Sequence, residues 1–265
     1  AKFLQLSSLQ LMLPLKHQIK LFDFLPTSRD IFPSPLLTIA TAFNIIKLRL
    51  RKACTPQIMK GTAIMSKKLI ILDPGHGEFG NQHTTREGFY EGTQNYILAT
   101  HLRDELVARG FDVMMTRNAV GENPSLEERG SMAGKNGAVM FLSLHSNAPG
   151  ASSSPERYAS VRGAETYYSI TDEEHNAVIA RALNDAVVSV MNTEDRGIKT
   201  RRYPDHPDWD YYGVIRAAAQ SGCRTAFLVE HGFHTNPADS AFLQDESCLA
   251  RLAAAEAEVI ARFFA

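Results

Sequence analysis

Leu69-Ile-Ile-Leu-Asp-Pro-Gly-His-Gly77 is the stretch that decides how this chain folds. Leu69–Leu72 is a short apolar run closed by Asp73-Pro74-Gly75, which reads as a buried strand turning sharply at its carboxyl end. Downstream, Leu98, Leu102 and Leu106 recur at i+4 and Gly110 follows, so the spacing predicts a helix over 91–109. A second strand is expected over Asp112–Thr116. Ser125-Leu-Glu-Glu128 has the form of a capping box and opens a helix to about Lys135. Val139–His145 and Ala164–Ile170 read as the third and fourth strands. Thr171-Asp-Glu-Glu174 reads as another capping box, its helix passing through Ile179, Leu183, Ala186 and Val190. Thr225–Glu230 is a further buried strand, and Asn236-Pro237 caps a helix with Pro at its first position. A final helix carries Leu252, Val259, Ile260 and Phe263 on one face. This alternation predicts a single α/β domain over 65–265. Its central twisted sheet, mostly parallel or mixed, is flanked by helices in the phosphorylase/hydrolase-like manner.

Residues 1–64 break that pattern. Pro14, Pro26, Pro33, Pro35 and Pro56 interrupt the segment, and its apolar run over 36–46 is too short to span a bilayer and contains Asn44. Its basic cluster follows that run, whereas a signal peptide carries charge before it. Met65-Ser-Lys-Lys resembles a start of translation, and Lys60-Gly61 is compatible with a purine-rich ribosome-binding site read in frame. The expectation is that 1–64 is a disordered or mistranslated upstream extension and that synthesis from Met65 proceeds without a signal peptide.

Charge divides at the same place. Residues 1–66 hold nine Lys/Arg against two Asp, and the remainder 19 against 27 Asp/Glu. The acidic part has no basic run, which excludes nucleic acid as an expected partner. Cys54, Cys223 and Cys248 are odd in number and lack C-x-x-C spacing, so they suggest neither a disulfide framework nor a cysteine zinc site.

The chemistry gathers at strand ends, where α/β folds place their ligands. The first strand delivers Asp73-Pro-Gly-His76, the third Ser143-Leu-His145-Ser-Asn147, and a later one Val229-Glu230-His231-Gly232. One such His is ordinary; three strand ends of metal-ligating or catalytic type in one domain point to a site.

In this combination the chain resembles the zinc-dependent N-acetylmuramoyl-L-alanine amidases of the amidase-3 type, over about 67–265. The motifs are D-P-G-H-G, a Glu opening the next helix, Thr116-Arg117, S-L-E-x-R over 125–129, S-L-H-S-N, an aromatic strand after Gly163, and V-E-H-G-F-x-x-N over 229–236. The resemblance implies one catalytic Zn2+ on His76, the helix-opening Glu and His145, with Glu230 as the general base. Glu91 fits the second ligand on helix phase, and Glu87, beside Gly88, is the alternative. Two imidazoles and a carboxylate leave a coordination position open, as catalytic zinc sites do. The implied reaction is hydrolysis of the amide between N-acetylmuramic acid and L-alanine of bacterial peptidoglycan. The alternatives are a non-catalytic peptidoglycan- or metal-binding module and a zinc peptidase cutting the stem peptide. The absence of H-E-x-x-H argues against the latter.

Asn147 and Asp73 read either as groups orienting the ligands or as strand-end turn residues. His231 and His234 flank Glu230 and read as substrate contacts or as exposed residues. Arg117 and Arg129 read as fold-supporting, and His83, His101, His175 and His206 as unremarkable. Arg201–Tyr212 is longer and more aromatic than the family pattern leads one to expect. It reads as a groove wall with Trp209 or Tyr211 stacking on sugars, or as a packed surface loop. Ile170 leads straight into the next helix, so no inhibitory helix is expected there. The expected partner is peptidoglycan, met by a monomer without stable membrane insertion, as a phage endolysin, autolysin or spore-wall hydrolase acting outside the cell or at lysis.

Overall fold

The computed structural model describes residues 67–80, 89–150 and 152–265. The 1–64 extension, His83 and Glu87 lie outside the described residues. Contacts divide the chain between Ile64 and Met65, and everything below belongs to the second unit.

Among the described residues, eight strands and seven helices follow one another: β1 (Leu69–Pro74), α1 (Glu91–Ala108), β2 (Asp112–Met115), α2 (Leu126–Lys135), β3 (Met140–Asn147), α3 (Pro155–Ser160), β4 (Ala164–Tyr168), α4 (Glu173–Met191), β5 (Asp195–Lys199), β6 (Arg202–Tyr203), β7 (His206–Asp210), α5 (Gly213–Ser221), β8 (Ala226–Phe233), α6 (Pro237–Leu243) and α7 (Glu246–Phe264). Six strands form one sheet in the order β2-β1-β3-β8-β4-β5. The first four are mutually parallel; β4 runs antiparallel to β8, and β5 parallel to β4. The sheet is therefore mixed, and its polarity reverses at one seam.

Side-chain alternation explains why both faces are covered. Ile70, Leu72, Met140, Leu142, Leu144, Phe227 and Val229 point to one side, where α1, α4 and α7 bring Leu98, Leu102, Ile179, Leu183, Leu252 and Ile260. Ile71, Phe141, Ala226 and Leu228 point to the other, against Ala133 of α2 and Val214, Ile215 and Ala218 of α5. Each such side chain fully buried contributes about 1.5–3 kcal/mol relative to exposure, which is why these central strands are apolar until their ends.

The local signals differ in how well they match. Ser125 caps α2 as expected: its hydroxyl accepts from Glu128 N, and the Glu128 side chain accepts from Ser125 N. Asn236 caps α6 through Ala238 N and Asp239 N, with Pro237 at the first helical position. The box expected at Thr171 is absent. Ser169 instead caps a 3-10 turn over Ile170–Asp172, and Asp172 precedes α4 without a side-chain cap. The Ser169 hydroxyl, two residues earlier, accepts from Thr171 N, and β4 ends at Tyr168 rather than Ile170. On α7, Phe263 is exposed rather than buried. Leu252, Val259 and Ile260 are buried as expected, with Ala253 and Ala257, and Phe264, four residues after Ile260, packs against the core in place of Phe263. Arg201–Tyr212, read as a groove wall or a packed surface loop, contains a two-stranded antiparallel ribbon, β6–β7.

Candidate metal and catalytic site

Parallel pairing of β1, β3 and β8 brings their polar ends together. Asp73 lies opposite Ser143 on β3, and His145 opposite Glu230 on β8. His76 follows the end of β1 with φ of 61°, a left-handed conformation that a β-carbon disfavours by roughly 1–2 kcal/mol. Buried arginines hold that turn by its carbonyls. Arg129 donates to Pro74 O at 2.9 Å and His76 O at 2.8 Å while its Nη1 meets Asp73 Oδ1 at 2.9 Å. Arg117 donates to Pro74 O and Gly92 O. Asp73 also accepts from Thr116 Oγ1 and Ser143 Oγ, both at 2.6 Å. Asp73 therefore braces the arginine that orients His76, without itself reaching the imidazoles. Gly75 admits no side chain, since a Cβ there would stand 2.3 Å from the His145 ring.

Glu91, wholly buried, opens α1, where the helix dipole favours a carboxylate. Its Oε2 lies 3.3 Å from His76 Nε2, its Oε1 3.1 Å from His145 Nδ1, and Ser146 N donates to Oε1 at 2.9 Å. Asn95, one helical turn on, reaches Glu91 Oε1 and Gly75 O, each at 3.4 Å. Ligating atoms of His76, Glu91 and His145 all fall within 4.8 Å of one another, the one such group among the described residues. Burial alone would raise the Glu91 carboxyl, yet hydrogen bonds and charge from His145 and His76 carry it well below its usual range. Burial likewise lowers His76, but Glu91 outweighs it and the imidazole is raised. Both shifts trace to one buried anion held between two imidazoles, a charge that a divalent cation would offset. Two imidazoles and one carboxylate are the donor set of a catalytic zinc site, so the residues present fit that ion.

Glu230 contributes no atom to the triad. Burial, then the negative charges of Glu91 and Glu165, raise its carboxyl well above the ordinary range. Its Oε2 is sealed from solvent and has no hydrogen-bond partner among the described residues. A buried carboxylate oxygen left unpaired costs free energy that folds normally avoid, and such an atom beside a metal-ligand set suits proton transfer. A cavity of about 390 Å³ opens over this edge, its walls including His76, His145, Asn123, Leu126, Tyr212 and Gly213.

The remaining expected residues fall elsewhere. Asn147 donates to Glu165 Oε1 at 3.0 Å. His234 is fully buried, stacked on Phe89 and 3.0 Å from Ser146 Oγ, so it supports the strand holding Glu91's amide donor and presents no ring to solvent. His231 is buried too, its ring nitrogens facing His145 O and Glu256 Oε1, both at 3.0 Å, so it is neither exposed nor a substrate contact. Trp209 is 42% exposed on β7, stacked on His206. Sequence reasoning missed Asn95, although its i+4 spacing from Glu91 on a buried face signals a partner. It also missed Glu165, a buried carboxylate on β4, bound by Arg196, Lys199, Tyr167 and Asn147.

Similarity to known proteins converges on one kind. Residues 70–262 match the amidase-3 family, described as N-acetylmuramoyl-L-alanine amidase. The Bacillus subtilis protein YqiI is 29% identical over 180 residues, 68% of this chain and 76% of its own length. The N-acetylmuramoyl-L-alanine amidase LytC of Bacillus subtilis is 31% identical over 176 residues, 66% of this chain. The match spans only 31% of LytC. The catalytic domain of CwlV, an N-acetylmuramoyl-L-alanine amidase of Bacillus (Paenibacillus) polymyxa var. colistinus, superposes with a TM-score of 0.60 at 26% identity. That superposition covers 74% of this chain and 97% of the CwlV domain.

Proposed function

This chain belongs to the amidase-3 family of N-acetylmuramoyl-L-alanine amidases, and on that premise we propose that it hydrolyses the N-acetylmuramoyl–L-alanine amide of peptidoglycan with zinc on His76, Glu91 and His145. The observation that carries the reading is the juxtaposition of that triad, within 4.8 Å, with the unpartnered carboxylate oxygen of Glu230 on the adjoining strand.

When bound, the ion supplies Lewis acidity, polarising a carbonyl and bringing the ionisation of water from about 15.7 towards about 7. The protein supplies the rest. Glu91 is fixed by Ser146 N and Asn95, so both imidazoles meet a carboxylate whose position is set before substrate arrives. Glu230 Oε2 receives the proton of the attacking water and returns it to the departing alanine nitrogen, changing from base to acid within one turnover. No side chain forms a covalent bond to substrate. Among the described residues no helix is long and apolar enough to cross a membrane, and the enzyme acts on the wall as a monomer.

The test is clearance of purified cell walls followed by turbidity, with chelator and then zinc restored, and with analysis of the released ends. Clearance that stops with chelator, returns with zinc and frees alanine amino groups is the expected result. Cuts inside the stem peptide would identify a peptidase, and wall binding without any clearance a binding module; either refutes the proposal.

A further inference from the structure

The β6–β7 ribbon leads through Tyr211 into Tyr212, which lines the metal cavity. Asp210 anchors its base: the buried carboxylate accepts from Ser169 Oγ at 2.8 Å and Ile170 N at 3.0 Å. Tyr211 carries the Arg201 guanidinium 3.4 Å over its ring and meets Tyr212 edge-on, yet stays 36% exposed. Beneath the ribbon is a second hollow of about 470 Å³, lined by Tyr203, Pro204, Asp205, Tyr211, Tyr212 and Arg216. That volume falls in the ~300–1,000 Å³ range of small-ligand clefts. It shares Leu126, Tyr212 and Gly213 with the metal cavity, so the two are contiguous.

The chemistry of the hollow selects its occupant. Acidic groups find little to bind, because the cations are used in bracing the ribbon. Arg202 donates to Pro207 O and Glu173, and Arg216 Nη1 donates to Asp210 O and Tyr211 O. The ribbon segment 201–212 also carries Asp205, Asp208 and Asp210 against Arg201 and Arg202. What it offers is flat aromatic surface with a polar rim. A pyranose with equatorial substituents complements that: its C–H face packs on an aromatic ring, as rings with one apolar side and polar edges generally do, while its hydroxyls meet the rim.

Resting on the amidase reading, we propose that this hollow is a saccharide subsite, seating an N-acetylhexosamine ring of the glycan strand while the neighbouring muramoyl amide lies over the metal cavity. The ribbon then reads the sugar chain, and the strand ends perform the hydrolysis.

Trp209 is the sole tryptophan of the chain, and its ring centre is 6.4 Å from that of Tyr203, so it reports on this hollow. The experiment titrates the zinc-loaded full chain with the N-acetylglucosamine tetramer, which contains no muramoyl amide, following Trp209 fluorescence and heat of binding in parallel. Saturable binding is expected, weakened about tenfold or more by Tyr211→Ala and by Tyr203→Ala and restored by Tyr211→Phe, a tenfold change corresponding to about 1.4 kcal/mol. Circular dichroism of each variant separates loss of stacking from loss of fold. Absence of saturable binding by both readouts overturns the proposal. So does tetramer binding indifferent to Tyr211→Ala, or its displacement by an L-alanyl-D-glutamyl-L-lysine peptide. Turnover of a single-sugar muramoyl peptide, measured separately, isolates the underlying reading. Tetramer binding through Tyr211 without amide cleavage upholds the subsite and sinks the amidase, whereas cleavage without tetramer binding does the reverse.

Discussion

Replacing Arg129 by Met keeps the length of the buried stem and removes the guanidinium. Five hydrogen bonds disappear: to Asp73 Oδ1, Pro74 O, His76 O, Asn123 Oδ1 and Pro124 O, all between 2.8 and 2.9 Å. They are not equal. The partners at His76, Asn123 and Pro124 are only partly buried and regain water, so their loss is largely compensated. The bonds to Asp73 and Pro74 are fully buried, and Asp73 is left as an anion with two hydroxyl donors and no cation in contact. Removing one member of such a buried pair costs about 3–5 kcal/mol. For a domain of this size that lowers the melting temperature by about 6–20 °C. The variant also loses the tether on the His76 carbonyl, and the left-handed backbone there is free to relax. Metal affinity should therefore fall about 10–100-fold, as for other residues that orient ligands. Arg129→Lys is the control: it restores a charge beside Asp73 but cannot reach Asp73 and His76 O together, so stability recovers in part while metal affinity stays low. Urea unfolding of the metal-free proteins, with zinc competition against a chromogenic chelator, measures both. A loss under about 1 kcal/mol for Arg129→Met, or unchanged zinc affinity in both variants, would show that the turn holds itself and that the bracing argument is wrong.

Glu230→Gln should keep zinc and lose at least about 100-fold in wall hydrolysis, the usual contribution of a positioned acid–base group; turnover within a few-fold of the parent rejects the assignment. Gly75→Ala should fold yet bind zinc weakly, since the new methyl displaces the His145 ring; a metal titration matching the parent contradicts this. Glu256→Leu strands the buried His231 Nε2 and should lower stability by about 1–3 kcal/mol, readable by urea unfolding. Chelation should lower the parent's melting temperature by an amount that grows with the zinc concentration replaced, because a ligand bound only to the folded state stabilises it by mass action; a melting temperature indifferent to zinc argues against the triad as a metal site.

The parts of this molecule that read easily from the sequence are those whose signal is local. β1, β3 and β8 are apolar until a polar residue ends them, because each is covered on both faces, and that single fact gives the sheet and the positions of His76, His145 and Glu230 together. Ser125 and Asn236 announce their helices because capping is settled within four residues. What stayed hidden depends on distant partners. β5 is Asp195-Arg-Gly-Ile-Lys, an edge strand with too little buried surface to alternate. β6 and β7 pair with each other and are mostly exposed, so no buried apolar alternation marks them. α5 is short and opens without a side-chain cap; it is stable because α2 lies against it. Thr171 offered a capping box equal in form to that of Ser125, and lost to Ser169, which the end of β4 had already placed at the helix entrance.

Among the described residues, the side-chain Oε2 of Glu230 has no hydrogen-bond partner. The oxygen that suits it to proton transfer is the one left unpaired in the interior, crowded by the charges of Glu91 and Glu165. Its replacement by an uncharged residue would relieve that crowding, so stability and the proposed proton transfer pull in opposite directions at this position. The candidate metal ligands His76, Glu91 and His145 and the proposed saccharide wall lie on other elements and would survive the change. On the proposed mechanism, one substitution at Glu230 would thus leave a protein that grips the wall without cutting it.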